Sequence, residues 1–314
     1  MGTEESIITI LTPTFNRRRK LEALYRSLCA QTVLLFDWLI VDDGSTDDTA
    51  EEVERWKGEA PFEIRYLKKE NGGKHTALNL GMTQITFPLT FIVDSDDTLT
   101  PDAVDTVCSY YKKYQPLPGS RNIGGFCFLR ADSEGEVNAG RFPVNESISD
   151  YCESRINAGI AGDEAQVFLT EVLKKYPFQE FEGERYLPED AVWMQMSAQY
   201  TLVNINRVIY VCDYLEGGLT RTGRRMKIRS PYGMMYRSAV YLRDPRVNRK
   251  TRCKMMLLYR IYSHFASDQD AQAGRTEAEQ TRSRELVSIQ RTGLYHFMKL
   301  PAFLLYLRWK RVYC

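Results

Sequence analysis

Short β-branched apolar runs alternate with amphipathic stretches over the N-terminal part of the chain, and that alternation leaves few folds open. Ile7 to Thr12 (IITILT) is apolar or β-branched at every residue, the pattern of a strand buried on both faces. From Arg19 to Gln31 the period changes, and Leu21, Leu24, Tyr25 and Leu28 fall on one side of a helix. Phe36 to Val41 (FDWLIV) predicts a second strand. Thr46-Asp47-Asp48-Thr49 supplies cap chemistry for a helix running to about Lys57. Phe62 to Leu67 predicts a third strand, Lys74 to Met82 a helix, and Leu89 to Val93 a fourth strand. Such repetition implies an α/β fold with a mostly parallel, doubly wound sheet, whose ligands bind beyond the carboxyl ends of the strands. Three of those ends carry polar clusters: Pro13-Thr14-Phe15-Asn16-Arg17, Asp42-Asp43-Gly44-Ser45 and Asp94-Ser95-Asp96-Asp97.

The remainder reads differently. From about Gly119 to Ile148 the pattern is of shorter strands and turns around Gly124-Gly125-Phe126-Cys127-Phe128, and after Gly218 it becomes helical and rich in Arg, Tyr and Met. A boundary is expected near Gly217-Gly218, separating an α/β domain over 1–218 from a basic, mainly helical extension over 219–314. The net charge of +1 conceals a polarity, because Arg221 to Cys314 holds 21 Lys and Arg against 6 Asp and Glu, leaving the preceding residues at −14. A chain so divided is expected to face an anionic surface or ligand, or simply to carry solvated helix faces. No apolar run approaches the ~18–20 residues that span a bilayer. The acidic start MGTEESIITIL is unlike a secretory leader, and seven cysteines without CxxC pairs read as reduced thiols in a cytoplasmic protein.

Each polar cluster has a plain structural reading beside a chemical one. Three carboxylates within Asp94-Ser95-Asp96-Asp97 repel one another unless a cation intervenes, and hard oxygens suit Mg²⁺ or Mn²⁺ shared with phosphate; the cluster also stands where a loop would cap the helix after Pro101. Asp42-Asp43-Gly44-Ser45 can accept hydrogen bonds from a base or ribose, or serve as turn residues. Asn71-Gly72-Gly73-Lys74-His75 opens a helix with backbone amides and an ammonium suited to phosphate, though without P-loop spacing. Glu189-Asp190 precedes an apolar helical stretch, either as acids complementing a helix start or as a general base.

Taken together these segments resemble a family 2 glycosyltransferase of the GT-A (Rossmann-like) fold. The resemblance rests on Thr12-Pro13-Thr14-Phe15-Asn16-Arg17, Val41 to Asp47, Asn71-Gly72-Gly73 through Gly81, Val93 to Asp97 and Glu189-Asp190, in the family's order and covering roughly residues 7 to 218. It implies that Pro13, Thr14, Asn16, Arg17, Asp43, Gly73, Lys74, Asn79, Asp94, Ser95 and Asp96 border a nucleotide-sugar, with Asp43 at the base, usually uracil. It further implies that Asp94, Asp96 and Asp97 hold Mn²⁺ or Mg²⁺, and that Asp190, with Glu189 beside it, is the catalytic base of an inverting displacement. Many members carry an Arg before the Asn of the third motif; here Leu78 precedes Asn79, and Lys74 is the cation that could replace it.

The implied reaction moves a hexose or N-acetylhexosamine from a UDP-sugar to a hydroxyl of a lipid-linked or oligosaccharide acceptor in bacterial surface-polysaccharide synthesis. Gly217-Gly218-Leu219-Thr220-Arg221-Thr222-Gly223-Arg224-Arg225 suggests a mobile basic lid over the diphosphate, or a loop leading into the tail. Leu294 to Cys314, with apolar and aromatic bulk beside Lys299, Arg308, Lys310 and Arg311, suits an anionic membrane surface at the inner face, or a helical bundle that packs on the catalytic domain or forms a homodimer contact. Two other classes compete. A nucleotidyltransferase acting on sugar phosphates should carry a Gly-rich basic loop after the first strand, where Pro13-Thr14-Phe15-Asn16 stands instead. A nucleic-acid binder would use the basic tail but leaves three acidic strand ends unexplained.

Overall fold

The computed structural model describes residues 6–114, 122–138, 140–160, 162–212, 219–273 and 277–314, with the side chains of 219–222, 273 and 277–279 outside that description. The N-terminal elements follow the sequence pattern: β1 (Ile8–Thr14), α1 (Arg18–Cys29), β2 (Phe36–Asp42), α2 (Thr49–Glu59), β3 (Glu63–Lys68), α3 (Lys74–Gln84) and β4 (Leu89–Ile92). Next come β5 (Thr98–Leu99), α4 (Ala103–Tyr114), β6 (Ile123–Ala131), β7 (Ser147–Ser149), a short π-helix (Cys152–Asn157), β8 (Ala165–Leu169), α5 (Thr170–Leu173), α6 (Asp190–Met196) and β9 (Thr201–Val211). The elements described in the C-terminal part are all helices: α7 (Leu219–Ile228), α8 (Pro231–Arg243), α9 (Arg249–Ala273), α10 (Glu277–Leu286), α11 (Gly293–Phe297) and α12 (Lys299–Tyr313).

Among the described residues one sheet runs β3-β2-β1-β4-β8-β6-β9-β5, with β7 added beside β9. The β3-β2-β1-β4 half is parallel, as the alternation predicts. From β4 onward the sheet is mixed, because β8 lies antiparallel to both β4 and β6. The central strands are apolar on both faces, and each face has its own core. Trp38 and Ile40 of β2 join Leu21, Leu24 and Leu28 of α1 and Trp56 of α2 on one side. Leu39 and Val41 point the other way, to Ala77 and Leu78 of α3. That second core continues into the C-terminal helices, through Trp193 of α6, Tyr232 and Tyr241 of α8 and Tyr262 of α9 to Tyr306 of α12.

Register decides which residues meet. Pro13 and Thr14 pair with Val41 and Asp42, and Leu11 pairs with Ile92, so the three polar clusters leave adjacent parallel strands at one level. The expected hinge Gly217-Gly218 lies outside the described residues. From Leu219 the stretch anticipated as a loop-like lid is instead the helix α7.

Candidate active site

The carboxyl ends of β1, β2 and β4 open onto a cleft of about 180 Å³. Pro13, Thr14, Phe15 and Arg17 enter it from the end of β1, Asp43 from β2, Asp94, Ser95 and Asp96 from β4, and Lys74 from the start of α3. Every one of these except Phe15 is anticipated from the sequence. A larger hollow of about 870 Å³ lies at the opposite end of the strands, between Ile85–Pro88 and Tyr200. Its lining is largely apolar and aromatic and contains none of the strand-end carboxylates, which leaves the smaller cleft as the place for chemistry.

Several anticipated residues shape this cleft through internal bonds. Asn16 adopts φ 51°, a left-handed conformation that asparagine tolerates. Its amide donates to Ser45 Oγ (2.8 Å) and its Oδ1 accepts from the Thr46 amide (2.8 Å), tying the β1 loop to the β2 loop. Buried Asp43 accepts from the Gly72 amide (2.9 Å) and Lys69 Nζ (2.8 Å) at Oδ1, and from the Gly73 amide (2.7 Å) at Oδ2. Gly73 needs its φ of 95° and its lack of a side chain, since a Cβ there would stand 2.0 Å from the Arg185 carbonyl oxygen. Asn79 departs from expectation. Its amide donates to the Phe178 carbonyl (2.9 Å) and Glu180 Oε1 (2.7 Å) and accepts from the Phe178 amide (2.8 Å), so it secures a loop rather than lining the cleft.

The acidic cluster splits by partner. Lys74 Nζ bridges Asp94 Oδ1 (2.5 Å) and Glu189 Oε1 (2.6 Å). Burial pushes the Asp94 carboxyl up, but Lys74 and more distant Arg130 outweigh it and hold Asp94 below the usual carboxylate range. Asp96 pairs closely with Arg17 and stands 3.6 Å from Lys20 Nζ. Asp97 turns elsewhere, accepting from Tyr210 Oη (2.8 Å), which in turn accepts from the Asp94 amide (3.0 Å). The Arg130 guanidinium lies 4.0 Å from the centre of the Tyr210 ring. Burial and the neighbouring Asp94 charge push Asp97 up to about 6. The anticipated three-carboxylate site is therefore two carboxylates in the cleft and one behind it.

Asp190 begins α6, where sequence reading places it, yet its carboxylate is engaged by the C-terminal region. Arg237 of α8 donates from Nε to Oδ1 (2.7 Å) and Oδ2 (2.8 Å) and from Nη2 to Oδ2 (2.5 Å), and Tyr241 Oη donates to Oδ2 (2.7 Å). Burial works to raise this carboxyl, but Arg237 and Tyr241 prevail and it lies below its ordinary value. Nothing in a one-dimensional pattern links residue 190 to 237, so sequence reasoning missed Arg237 and Tyr241. Phe15 carried a signal, a large apolar side chain in an otherwise polar strand end, and it is 44% exposed.

No group of three His, Cys, Asp or Glu side chains stands ready to hold a metal ion among the described residues. Asp94 and Asp96 nevertheless fit a hard divalent cation, which commonly takes one or two carboxylates and completes its shell with water and phosphate oxygens. Thr14, in the same lining, has a buried hydroxyl oxygen with no hydrogen-bond partner.

Residues 9–133 match the family described as Glycosyl transferase family 2. This stretch, less than half of the chain, is similar to family 2 glycosyltransferases. It contains the first four strands and the Asp94–Asp97 cluster and stops short of Glu189-Asp190. Glycosyltransferase GlyA of Streptococcus pneumoniae is 32% identical to it over 128 residues, 41% of this chain and 18% of that protein. Poly(ribitol-phosphate) beta-N-acetylglucosaminyltransferase TarP of Staphylococcus aureus is 31% identical over 110 residues, 34% of this chain and 33% of TarP. The chain thus spans a third or less of these curated relatives. The crystal structure of S. aureus TarS 1-349 in complex with UDP-GlcNAc covers 97% of this chain and 91% of its own, at a TM-score of 0.59 and 14% identity. At that identity the likeness establishes the fold, which is GT-A.

Proposed function

We propose that the protein is an inverting glycosyltransferase that moves a hexose or N-acetylhexosamine from a UDP-sugar to a hydroxyl of a lipid-linked glycan in polysaccharide synthesis. The observation that carries this reading is the convergence of three strand ends and Lys74 on one cleft, with Lys74 joining Asp94 to Glu189 beside Asp190. The family 2 segment, and relatives named for N-acetylglucosaminyl transfer, support it.

The cleft offers matching chemistry for each part of the donor. Phe15 presents an exposed ring for a base to stack on, and Asp43 Oδ2 accepts one hydrogen bond from the chain and keeps a lone pair for an N–H of uracil. Arg17, Lys20 and Lys74 bring cations to the diphosphate, with the bidentate geometry that suits phosphate available from Arg17. A Mn²⁺ or Mg²⁺ ion held by Asp94 and Asp96 would act as a Lewis acid toward the leaving diphosphate.

Asp190 takes the proton of the acceptor hydroxyl. Its Oδ1 carries one hydrogen bond where Oδ2 carries three, so Oδ1 is the oxygen free to receive it. Arg237 keeps this carboxylate ionised and fixed in direction at the expense of basicity, so the contribution is one of orientation more than proton affinity. Attack opposite the departing diphosphate inverts the anomeric carbon. Besides Arg237 in contact with it, the Asp190 carboxylate feels the charge of Lys227. Lys227 is lowered by burial and by Arg237, Arg224 and Lys254, and neither Lys227 nor Lys254 has an ion-pair partner among the described residues. Such surroundings suit an acceptor that carries phosphate, as a lipid-linked glycan does.

The test is a panel of nucleotide-sugars scored for Mn²⁺-dependent nucleotide release and glycan extension. Wild type should turn over at least one UDP-sugar, and Asp96→Ala should lose the metal-dependent part. Asp190→Asn should retain donor binding and lose transfer; full transfer by that variant would remove Asp190 from the mechanism.

A further inference from the structure

Six of the nine large hydrophobic side chains exposed among the described residues fall within one short stretch: Phe297, Leu300, Phe303, Leu304, Leu307 and Val312. They belong to the end of α11 and to α12, and spacings of three and four put Leu300, Phe303, Leu304 and Leu307 on one helix face. Leu300 and Leu304 are 66% and 57% exposed, so this face has no cover among the described residues.

The opposite face of α12 is fixed. Ala302 and Tyr306 are buried against α9, the Tyr306 ring lies 4.9 Å from Phe265, and Trp309 packs 6.0 Å from Tyr262. Tyr306 Oη (2.7 Å) and Lys310 Nζ (2.8 Å) both reach Asp268. The apolar face is therefore held outward by packing on its far side, and the helix cannot bury it by rolling over. Arg224 of α7 stacks 4.2 Å from the Trp309 ring, which connects this helix to the segment whose Lys227 charge acts on Asp190.

Charge decides between occupants. From Leu286 to Cys314 there is no Asp or Glu, and there are five Lys and Arg. Lys310 is spent on Asp268, whereas Lys299, Arg308 and Arg311 are exposed and have no ion-pair partner among the described residues. A second copy docking face to face would set like cations against one another and desolvate them without compensation. An anionic lipid surface supplies what both features need, acyl boundary for the leucines and phosphate for the arginines. With 15 residues α12 is ~22 Å long, and no helix among the described residues is long and apolar enough to cross a membrane. We infer that the Phe297–Leu307 face of α11 and α12 is a membrane-surface anchor, lying in the plane of an anionic bilayer with Leu300, Leu304 and Leu307 inserted and Lys299, Arg308 and Arg311 at the headgroups. The inference deepens the reading of a lipid-linked acceptor, since it places that acceptor's membrane beside the site.

Sedimentation of the full chain with vesicles tests this without turnover, so its failure is separable from failure of the transferase reading. Wild type should bind vesicles containing phosphatidylglycerol at least tenfold more tightly than phosphatidylcholine vesicles, and raised salt should weaken the binding. Leu304→Glu with Leu307→Glu should abolish binding; both side chains are solvent-exposed, and an unchanged thermal unfolding midpoint shows that the fold survives. Arg308→Gln with Arg311→Gln should reduce binding to anionic vesicles about 25-fold and leave binding to neutral ones unchanged. Wild type that ignores anionic vesicles, that binds both lipids equally, or that instead forms a dimer abolished by Leu304→Glu overturns the inference.

Discussion

Under the proposed mechanism two demands meet on the Asp190 carboxylate, which is to accept a proton from substrate and is already gripped by Arg237 and Tyr241. Arg237→Met leaves a partly buried charge without its cation, with an expected stability loss of about 2 kcal/mol, the low side for such pairs because 19% of the Asp190 side chain is exposed. The same change should raise the Asp190 pKa and move the acid limb of the pH–rate profile to higher pH, with Arg237→Lys intermediate. An acid limb that stays in place would show that Asp190 is not the group titrating. His75 gives a second pH signature, in stability. It is buried, burial lowers its pKa, and its Nδ1 has no partner, so the folded state holds it neutral. Below pH about 6.5 the unfolded chain binds a proton that the folded chain refuses, so stability is lost as pH falls. The unfolding free energy of wild type relative to His75→Gln should therefore fall between pH 7 and pH 5; an unchanged or opposite difference would contradict the neutral assignment. Residue types were legible here and partners were not. Asp43 and Asn16 read as ligand groups, and both turn out to hold the loops that form the cleft.

At the scale of elements, the strands were the easiest part to read. FDWLIV is apolar on both faces, which only a two-sided strand uses well, and β2 is found at Phe36–Asp42. The antiparallel β8 was not legible, since its register with β4 and β6 is set by contacts between distant parts of the chain. Gly124-Gly125-Phe126 marked a core strand correctly, and Gly125 is required there because a Cβ would meet the Val167 carbonyl at 2.2 Å. Asn79 shows how a motif position can serve an element instead of a ligand. It clamps α3 to the loop at Phe178–Glu180 by three hydrogen bonds. Asn79→Ala should cost about 2–3 kcal/mol in denaturant unfolding, as three net bonds are lost, and leave the affinity for UDP within about twofold of wild type. A large loss of UDP affinity at unchanged stability would return Asn79 to the donor site.

Across the whole molecule the charge polarity has a location. The acidic N-terminal half supplies the carboxylates at the strand ends, and the basic C-terminal helices supply Arg237 to Asp190 and share a core with α3 and α6. Net charge near zero could not show this, but the split along the chain did. The proposed function requires that the cleft between Pro13, Asp43 and Asp96 receive a uridine diphosphate through a divalent ion. Titration calorimetry of UDP into wild type and Asp96→Ala, each with Mn²⁺ and then with chelator, tests it most directly. Wild type should bind UDP with Mn²⁺, and either chelation or Asp96→Ala should weaken binding by at least about tenfold, the loss of one charge-assisted contact. Binding of UDP indifferent to both, or no binding at all, would contradict the claim.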